Sequence, residues 1–498
     1  MNVLREARRE IVENPGIPGP DFYVRKLAGL WERAAAAPAY RDIGPFSAAS
    51  FAALAPTPRE ELKARPLDFA TVTAGRALRY YETTGSTGTP TPTPRTAEDV
   101  LWNTVSVAES WRSVLTAGLS DPTALGDTTG SPDTGDARDG GQERILSLMP
   151  SDVVPVGDLI AQVGDYLELS HLRAYPFATG ITGWDRLVDL WRGYRPTTVF
   201  LAPGVALEWT RLVAQRGLLP ELATGVRRLM LLGEVNTVPF RERLARWWGA
   251  AVHDASYGST ETGTLATTCP AGRQHLLTAG TYFELDTGGP EGIVPLVPLG
   301  SGPSLGRAAS GRSASEDGPE EAPRDSSGPP RDGSRSPRDG SGTLSGQLLV
   351  TPLNAYARPL LRLRTGDLVT LDHGCACGRT TPLVTVHGRA SDTLTVHGSP
   401  LTPREVENVV FATAETTGYL IEVTASGDFA GLLLERLPGA DRTREPDAAD
   451  EVRRASKEHL GVSWDRVAFV NALPRQTKSG ASQKSWKRSN IRVLETAP

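Results

Sequence analysis

The sequence is short of cysteine, of long apolar runs and of net charge, and each shortage excludes a class of protein. Three cysteines among 498 residues argue against a disulfide framework, so we expect a reducing, cytoplasmic compartment. No run approaches the roughly 18 consecutive apolar residues of a membrane span. The charged N-terminus lacks the apolar core of a signal peptide, so we expect no signal peptide. We therefore expect no membrane partner. A net charge of −5 gives no reason to expect a nucleic-acid partner.

Glycine and proline, by contrast, are abundant, with 51 and 39 residues. Two stretches, 119–143 and 299–343, contain almost no large apolar side chain. Because such segments cannot bury a core, we predict flexible insertions there. The remaining length is enough for two or three domains of roughly 150 residues each.

Between the two insertions, strand-like segments alternate with amphipathic helix-like segments. The predicted strands cover 144–150, 197–203, 226–234 and 250–258, and the predicted helices cover 184–194, 206–217 and 238–249. This alternation predicts a parallel sheet covered by helices, with ligands bound beyond the carboxyl ends of the strands. A further helix is predicted over 96–115, with Thr96 as its N-cap.

From about residue 389 the pattern changes to short strands mixed with helices, which predicts a small α+β domain. We therefore predict an α/β protein with two domains. The large N-terminal domain covers residues 1–388, has several layers of helix-covered sheet, and carries the insertions near 119–143 and 299–343. The small C-terminal domain covers residues 389–498.

Residues 80–95, YYETTGSTGTPTPTPR, concentrate hydroxyl groups and glycines. Glycine allows backbone N–H groups to approach an anion, and the hydroxyls add donors, so the segment suits a phosphate cradle. No Lys follows the last Gly, so this is not a loop of the GxxxxGK[ST] type. Taken alone, the segment also fits a plain surface loop.

Four later segments favour the phosphate cradle. They are YGSTETG (257–263), RLRTGDLVTL (362–371), GRASDTLTVHGSPLTPREVE (388–407) and LPRQTKSGASQKSWKR (473–488). In order and spacing, the five motifs resemble those of the acyl- and aryl-adenylate-forming superfamily, which includes acyl–coenzyme A ligases and the adenylation domains of peptide synthetases. The chain looks most like the phenylacetate–coenzyme A ligase branch. The resemblance covers roughly residues 75–498, apart from the insertions.

The resemblance implies a set of ATP-binding residues. Those that match the family's motifs are Thr83, Thr84, Gly85, Ser86, Thr87 and Gly88 for the phosphates, Tyr257, Gly233 and Glu234 around the adenine, Asp367 for the ribose, Arg389 for the ribose or phosphate, and Gly258, Ser259 and Thr260 as further nucleotide-binding residues. Glu261 matches the catalytic-site carboxylate that holds Mg²⁺ with the phosphates, a role that suits a hard oxygen ligand. Taken singly, Tyr257 also fits an ordinary core tyrosine, and Glu261 fits a solvated loop residue.

Three positions depart from the family's pattern. Thr89 stands where the family usually has Lys or Arg, and Ser391 stands at the hinge of the mobile C-terminal lid, usually Asp or Lys. The catalytic lysine is displaced, because Ala481 follows the last glycine of its motif. We predict that Lys484 takes the catalytic role, with Lys478 as the second choice. The alternative is that the lysines of this segment are solvated loop charges.

The cysteines lie close to two of these motifs, one after 257–263 and two after 362–371. The predicted zinc ligands are Cys269, His275, Cys375 and Cys377. Some members of the branch carry a similar set and bind zinc there, and a four-ligand Cys₃His site leaves no position open for catalysis. His373 is a competing imidazole. Three unrelated buried cysteines are the alternative.

The resemblance implies ATP-dependent activation of a carboxylic acid, aromatic in this branch, to an acyl-adenylate with release of pyrophosphate. The acyl group then passes to a thiol, foremost that of coenzyme A. We expect residues 197–209 and 253–256 to line the acid pocket, with Trp209 and His253 as candidates. A carrier-protein phosphopantetheine or an amine is an alternative acceptor, and a degenerate nucleotide-binding homologue is the non-enzymatic alternative. The sequence leaves the oligomeric state open, including a homodimer.

Overall fold

The computed structural model describes residues 2–83, 90–117, 142–178, 180–289, 292–300, 343–389, 393–473 and 490–495. Both predicted insertions fall almost wholly outside these ranges, so their flexibility stays a prediction. Within the described residues the helices are α1 Asn2–Glu13, α2 Pro20–Ala34, α3 Ala48–Ala53, α4 Arg59–Ala64, α5 Ala97–Leu115, α6 Val156–Tyr166, α7 Trp184–Tyr194, α8 Pro203–Gln215, α9 Leu219–Ala223, α10 Val238–Trp248, α11 Pro403–Thr413 and α12 Glu445–Leu460. None of these helices is long and apolar enough to cross a lipid bilayer.

A short antiparallel hairpin precedes the first sheet. Its strands are β1 Arg79–Glu82 and β2 Pro92–Arg95. Beyond the last strand pair, the backbone N–H of Thr83 donates to the carbonyl of Thr91 at 3.1 Å, and the Thr91 N–H donates to the Thr83 hydroxyl at 2.9 Å. The two ends of the hydroxyl-rich segment are therefore fixed side by side. α5 follows, and its predicted N-cap is confirmed, because the Thr96 hydroxyl accepts the N–H of Asp99 in a capping box.

The predicted parallel sheet is confirmed. Its strands are β3 Arg144–Ser147, β4 Ser170–Arg173, β5 Thr198–Leu201, β6 Arg228–Leu231 and β7 Ala251–Asp254, in the order β4-β3-β5-β6-β7. The central strands β5 and β6 are buried along their whole length, as expected where helices cover both faces. α10 begins where the Thr237 hydroxyl caps it and ends at Gly249, which has a left-handed φ of 61°. Helix α6 and strand β4 were not predicted from the sequence.

An antiparallel sheet forms the second layer. Its strands are β8 Ser256–Ser259, β9 Gly263–Thr268, β10 Gln274–Leu276, β11 Thr281–Asp286, β12 Ile293–Pro295, β13 Leu344–Pro352, β14 Leu363–Asp372 and β15 Leu383–Arg389, in the order β12-β11-β13-β14-β15-β10-β9-β8. N-terminal helices pack on this sheet, where the Tyr282 ring lies 5.1 Å from Tyr23 of α2 and 5.6 Å from Phe51 of α3.

The segment 250–258, predicted as one strand, is two strands that meet at Ala255. The N–H of Ala255 donates to the carbonyl of Leu231 in the parallel sheet at 2.8 Å. Its carbonyl accepts the N–H of Thr268 in the antiparallel sheet at 2.9 Å and the indole N–H of Trp111 at 3.0 Å. The prediction of a single strand was wrong because the apolar pattern runs on through this change of sheet.

The C-terminal part is a small α+β unit, as predicted. Its strands are β16 Leu394–Val396, β17 Ser399–Leu401, β18 Thr416–Thr424, β19 Ala430–Arg436, β20 Arg466–Val470 and β21 Ile491–Leu494, with β20-β19-β18-β21 forming one sheet. It packs on the large domain through α10 and α11, where the rings of Phe240 and Phe411 lie 4.9 Å apart. The Arg243 guanidinium also donates to the Phe411 carbonyl at 2.9 Å. The predicted boundary after residue 388 stays a prediction.

Candidate active site

A cavity of about 870 Å³ lies where the two large-domain sheets face the C-terminal unit. Its walls come from the carboxyl ends of the parallel strands, the β8–β9 turn, the strands β14 and β15, and helices including α4, α6 and α11. The sequence-predicted residues on these walls are Thr83, Gly233, Glu234, Tyr257, Gly258, Ser259, Thr260, Glu261, Asp367 and Arg389. Residues from four separate motifs therefore meet at one cavity.

The β8–β9 turn needs glycine at two positions to place Glu261. A Cβ on Gly258 would lie 2.3 Å from the carbonyl oxygen of Gly263, and Gly263 itself has a φ of 76°. The guanidinium of Arg95 donates to the carbonyls of Thr260 and Glu261 at 2.8 and 3.2 Å, which ties the turn to the β1–β2 hairpin. The Glu261 side chain is 5% exposed and borders the cavity.

A second carboxylate that borders the cavity, Asp367, lies in β14. The Tyr257 hydroxyl donates to its Oδ2 at 2.7 Å, and the Nε of Arg389, its cross-strand partner in β15, lies 3.7 Å from its Oδ1. Burial raises the pKa of Asp367, while the Tyr257 hydrogen bond and the Arg389 charge act in the opposite direction. Burial also raises the pKa of Tyr257, which keeps its hydroxyl protonated as a donor.

Gly233 and Glu234 lie at the end of β6 and border the same cavity. Gly233 has a φ of 87°, which turns the chain away from the sheet. The Glu234 carboxylate accepts the backbone N–H of Gly204, at the start of α8, at 3.3 Å. This contact joins the ends of two neighbouring parallel strands, where α/β sheets bind ligands.

Four cations that border the cavity were not predicted from the sequence, namely Arg59, Lys63, Arg95 and Arg404. Arg59 of α4 borders the cavity, and its Nη2 lies 3.8 Å from the Glu261 carboxylate. Arg95 of β2 also borders it and holds the β8–β9 turn. Nothing in the sequence pairs residue 59 with residue 261, because their contact depends on the packing of an N-terminal helix against a distant turn.

The two side chains predicted for the acid pocket are not among the described residues that line the cavity. His253 and Asp254 are neighbours in β7, so their side chains point to opposite faces of the sheet, and it is Asp254 that borders the cavity. His253 is buried behind the sheet, and burial lowers its pKa to about 4. Of the predicted segment 253–256, Asp254 and Ser256 border the cavity and His253 does not, and the acid-pocket role of the segment stays a prediction.

Trp209 is also absent from the described residues that border the cavity, for the corresponding helical reason. Gly204 and Leu207 of α8 border the cavity, and a residue two positions beyond Leu207 lies on another face of a helix with 3.6 residues per turn. Trp209 is fully buried, with its ring 5.8 Å from Trp184 and 5.5 Å from Trp191. It is a packing residue of the helical layer.

Several predicted residues lie outside the described part of the chain. They are Thr84, Gly85, Ser86, Thr87, Gly88, Thr89, Ser391, Lys478 and Lys484. The described residues that flank these segments do border the cavity, namely Thr83 before the hydroxyl-rich segment and Leu473 and Asn490 on either side of the lysine segment. The roles of the residues between them stay predictions.

The predicted zinc ligands converge away from the cavity wall. The ligand atoms of Cys269, His275, Cys375 and Cys377 all lie within 4.8 Å of one another. Cys269 Sγ is 3.7 Å from Cys375 Sγ, and Cys377 Sγ is 3.4 Å from His275 Nε2. Tetrahedral bonds of about 2.3 Å for Zn–S and 2.0–2.1 Å for Zn–N give similar separations, about 3.8 and 3.5 Å.

The surroundings of this cluster also suit a metal. The Nδ1 of His275 lies 2.9 Å from the Thr381 carbonyl, so its Nε2 is left to face the sulfurs. The competing imidazole, His373, is exposed and outside the cluster. The cluster joins the β9–β10 hairpin to the connection between β14 and β15.

Comparisons with known proteins fit this geometry. No family model matches the chain. A phenylacetate-coenzyme A ligase from Thermus thermophilus is 40% identical over 85 residues, which are 16% of this chain and 19% of the ligase. The match therefore spans less than a fifth of that relative's length.

Solved structures match over far more of the chain. A 2-hydroxyisobutyryl-CoA ligase in the postadenylation state, in complex with 2-HIB-AMP, has a TM-score of 0.63 at 17% identity and covers 99% of this chain and 88% of its own. An open conformation of a ligase of that name, in complex with 2-HIB-AMP and CoA, has a TM-score of 0.52 at 16% identity, covering 94% of this chain and 90% of its own. The chain therefore has the fold of the adenylate-forming acid–coenzyme A ligases, with a large N-terminal and a small C-terminal domain.

Proposed function

We propose that this protein is an AMP-forming acid–thiol ligase. It joins a carboxylic acid to the α-phosphate of ATP, releases pyrophosphate, and passes the acyl group to the thiol of coenzyme A. The observation that carries the proposal is the meeting of Tyr257, Glu261, Asp367 and Arg389 at one cavity. The fold shared with acid–CoA ligases supports it.

Each of these side chains suits one part of the nucleotide. The Asp367 carboxylate has two oxygens and suits a vicinal diol such as that of ribose, with Arg389 beside it. Tyr257 presents its ring to the cavity while its hydroxyl fixes Asp367. Glu261 is an oxygen ligand for Mg²⁺, and the bound ion would offset the negative charge of the phosphates.

The reaction brings two anions together, so positive charge at the phosphates lowers its barrier. Thr89 provides no such charge in the predicted phosphate segment. Arg59 beside Glu261 supplies a cation from the other wall of the cavity. Lys484 is proposed to bridge the acid carboxylate and the α-phosphate, from a segment whose flanking residues border the cavity.

The acid lies beside an apolar wall. The apolar side chains that contribute to it are Met149, Val154, Val156, Leu159, Leu207 and Leu232. This wall suits an acid with an apolar body, and we propose an aromatic one, in keeping with the branch that the motifs resemble. The small domain, 389–498, is proposed to act as a mobile lid with its hinge at Ser391.

We propose zinc at the Cys₃His cluster as a structural ion. Three thiolates and one imidazole complete a tetrahedral set, so no position is left for substrate. The ion would hold the β9–β10 hairpin against the connection between β14 and β15. We propose no role for it in the adenylation or thioester steps.

The test is acid-dependent release of pyrophosphate from Mg-ATP, across aromatic and aliphatic acids, with and without coenzyme A. We expect release with one class of acid, and a thioester product when coenzyme A is present. Acid-dependent release without stimulation by coenzyme A would redirect the acceptor to a carrier protein or an amine. Nucleotide binding without release for any acid would refute the proposal.

Lys484→Ala tests the predicted catalytic lysine in the same assay. Removal of a group that stabilises developing charge should slow adenylation by about 10²–10³-fold. Lys478→Ala and Lys487→Ala are matched controls from the same segment. A loss in either control, with an unchanged rate for Lys484→Ala, would move the role to that lysine.

A further inference from the structure

Two neutral amide side chains stand on the cavity wall formed by α5 and α6. They are Asn103 and Gln162, and both border the cavity. We infer that they recognise a neutral oxygen of the acid, a hydroxyl group that it carries in addition to the reacting carboxylate. This inference rests on the proposed function and narrows its substrate to hydroxylated acids.

The orientation of Asn103 is fixed by the protein. Its Oδ1 accepts the backbone N–H of Thr264 at 2.9 Å, and a backbone N–H can only donate. The contact is close because Gly263 has no side chain, since a Cβ there would lie 2.8 Å from Oδ1. Its Nδ2 donates to no other residue in the described part of the chain. The Asn103 NH₂ group is thus a donor that the fold leaves for a ligand.

Gln162 adds a second polar group to the same wall. The Thr104 hydroxyl lies 2.9 Å from its Oε1 and 2.8 Å from the carbonyl of Val100. The hydroxyl has one proton, which serves one of these oxygens at a time. A ligand hydroxyl matches either orientation of the Gln162 amide, because it accepts from an N–H and donates to a C=O. A ketone or ether oxygen matches only one.

The charges on this wall exclude a second carboxylate. The residues of α5 and α6 that border the cavity within the described part of the chain are Asp99, Val100, Asn103, Val156, Leu159 and Gln162, and none of them is a cation. Arg95, which also borders it, already donates to the carbonyls of Thr260 and Glu261. An anionic substituent beside these residues would meet the Asp99 carboxylate and no cation from either helix, which is costly.

Apart from Asp99, the other α5 and α6 residues on this wall are the apolar Val100, Val156 and Leu159, so we expect the body of the acid to be a ring or a branched chain. A cavity that is mostly apolar takes its specificity from a small number of placed polar groups. Where those groups are built to bond a substrate hydroxyl, an analogue without it leaves them unpaired. One unpaired buried donor costs about 1–3 kcal/mol, so we expect about a 10–100-fold preference for the hydroxylated acid.

The test compares matched acids in the pyrophosphate-release assay. The probes are benzoate with its three monohydroxy isomers, phenylacetate with its hydroxy derivatives including mandelate, and terephthalate as a diacid. We expect at least one hydroxylated acid to exceed its parent about tenfold or more in kcat/KM, and terephthalate to be the poorest aromatic substrate. Release that is equal within every pair would overturn this inference and leave the proposed function intact. Release with no acid would overturn the proposed function itself.

The variant Asn103→Asp tests whether the preference for hydroxylated acids depends on the Asn103 side chain. The new carboxylate still accepts the Thr264 N–H, but its second oxygen replaces the NH₂ donor. We expect the ratio of kcat/KM between the hydroxylated acid and its parent to fall tenfold or more. Gln215→Glu, the same kind of change on the exposed end of α8, should keep the wild-type ratio. An unchanged ratio in Asn103→Asp would contradict the assignment, while the wild-type comparison stands whether or not this variant folds.

Discussion

Glu407 of α11 is a buried carboxylate at the contact between the two domains. Its Oε1 accepts the backbone N–H of Thr237 at 2.9 Å, at the N-terminus of α10, and the residue is 7% exposed. Burial raises the pKa of Glu407 from its ordinary 4.5 to about 7, although the hydrogen bonds from Thr237 and the nearby charge of Arg404 oppose the rise. Below about pH 7 the folded protein therefore favours the protonated form of Glu407.

The sign of the pH dependence follows from this shift. Between pH 4.5 and 7 the native state binds more protons at Glu407 than the unfolded state does, so stability falls as the pH rises. One pKa unit corresponds to about 1.4 kcal/mol, so this group should cost about 2 to 3 kcal/mol more at pH 8 than at pH 5. This loss of stability concerns the contact between α10 and α11, which Glu407 joins through Thr237.

The assay is the thermal midpoint of wild type and Glu407→Gln at pH 5 and pH 8. Glutamine still offers an oxygen to the Thr237 N–H but has no proton to lose. We expect the variant to gain a few degrees over wild type at pH 8 and much less at pH 5. Because burial also raises the pKa of Asp254 to about 6, the comparison is between variants and not between pH values of one protein.

Glu458→Gln is the matched control, since Glu458 is exposed on α12. It should follow the wild-type midpoint at both pH values. If Glu407→Gln differs from wild type by the same amount at pH 5 and pH 8, the reasoning is refuted, because a lost packing contact has no pH dependence and a raised pKa does.

Three further predictions concern the site and its frame. Asp367→Asn should lower kcat/KM for ATP by about 10–100-fold, because hydrogen bonds to a charged acceptor contribute about 1.5–3 kcal/mol. The variant should also show a smaller preference for ATP over 2′-deoxy-ATP. An unchanged preference would contradict the ribose role of Asp367. Metal analysis of the wild type should find one zinc per chain. The variant Cys377→Ser should contain none and have a lower thermal midpoint. A wild-type protein without zinc would contradict the proposal of a structural ion. Trp209→Ala should destabilise the protein by about 3–5 kcal/mol in chemical denaturation and keep the wild-type order of preferred acids; a changed order would return Trp209 to the acid pocket.

The sequence predicted the helices and strands best where local signals were complete. The predicted helix 184–194 matches α7 in both bounds, with an apolar stripe inside it and Arg195 in the left-handed conformation after it. The strands β7 and β8 were merged because both are extended and partly apolar. Only the hydrogen bonds of Ala255 to two different sheets divide them, and such pairing is not a local property of the sequence.

The candidate site was predictable wherever a motif fixed the position in the chain, as at Tyr257, Glu261 and Asp367, which meet at the cavity. The residues that border the cavity could not be predicted where this depends on the direction in which a side chain points. His253 and Asp254 are adjacent in sequence, and one step along a strand exchanges the two faces of the sheet. Arg59 escaped notice for another reason, because its partner lies about two hundred residues away and no local pattern joins them.

Ala255 links the two sheets of the large domain between Asp254 and Ser256, which border the cavity. Its backbone N–H bonds the parallel sheet, and its carbonyl bonds the antiparallel sheet and the Trp111 side chain of α5. A shift of one sheet against the other at this point would therefore break these hydrogen bonds. If the small domain acts as the lid proposed above, the contact of α10 with α11, where Phe240 meets Phe411, is where its movement would be seen.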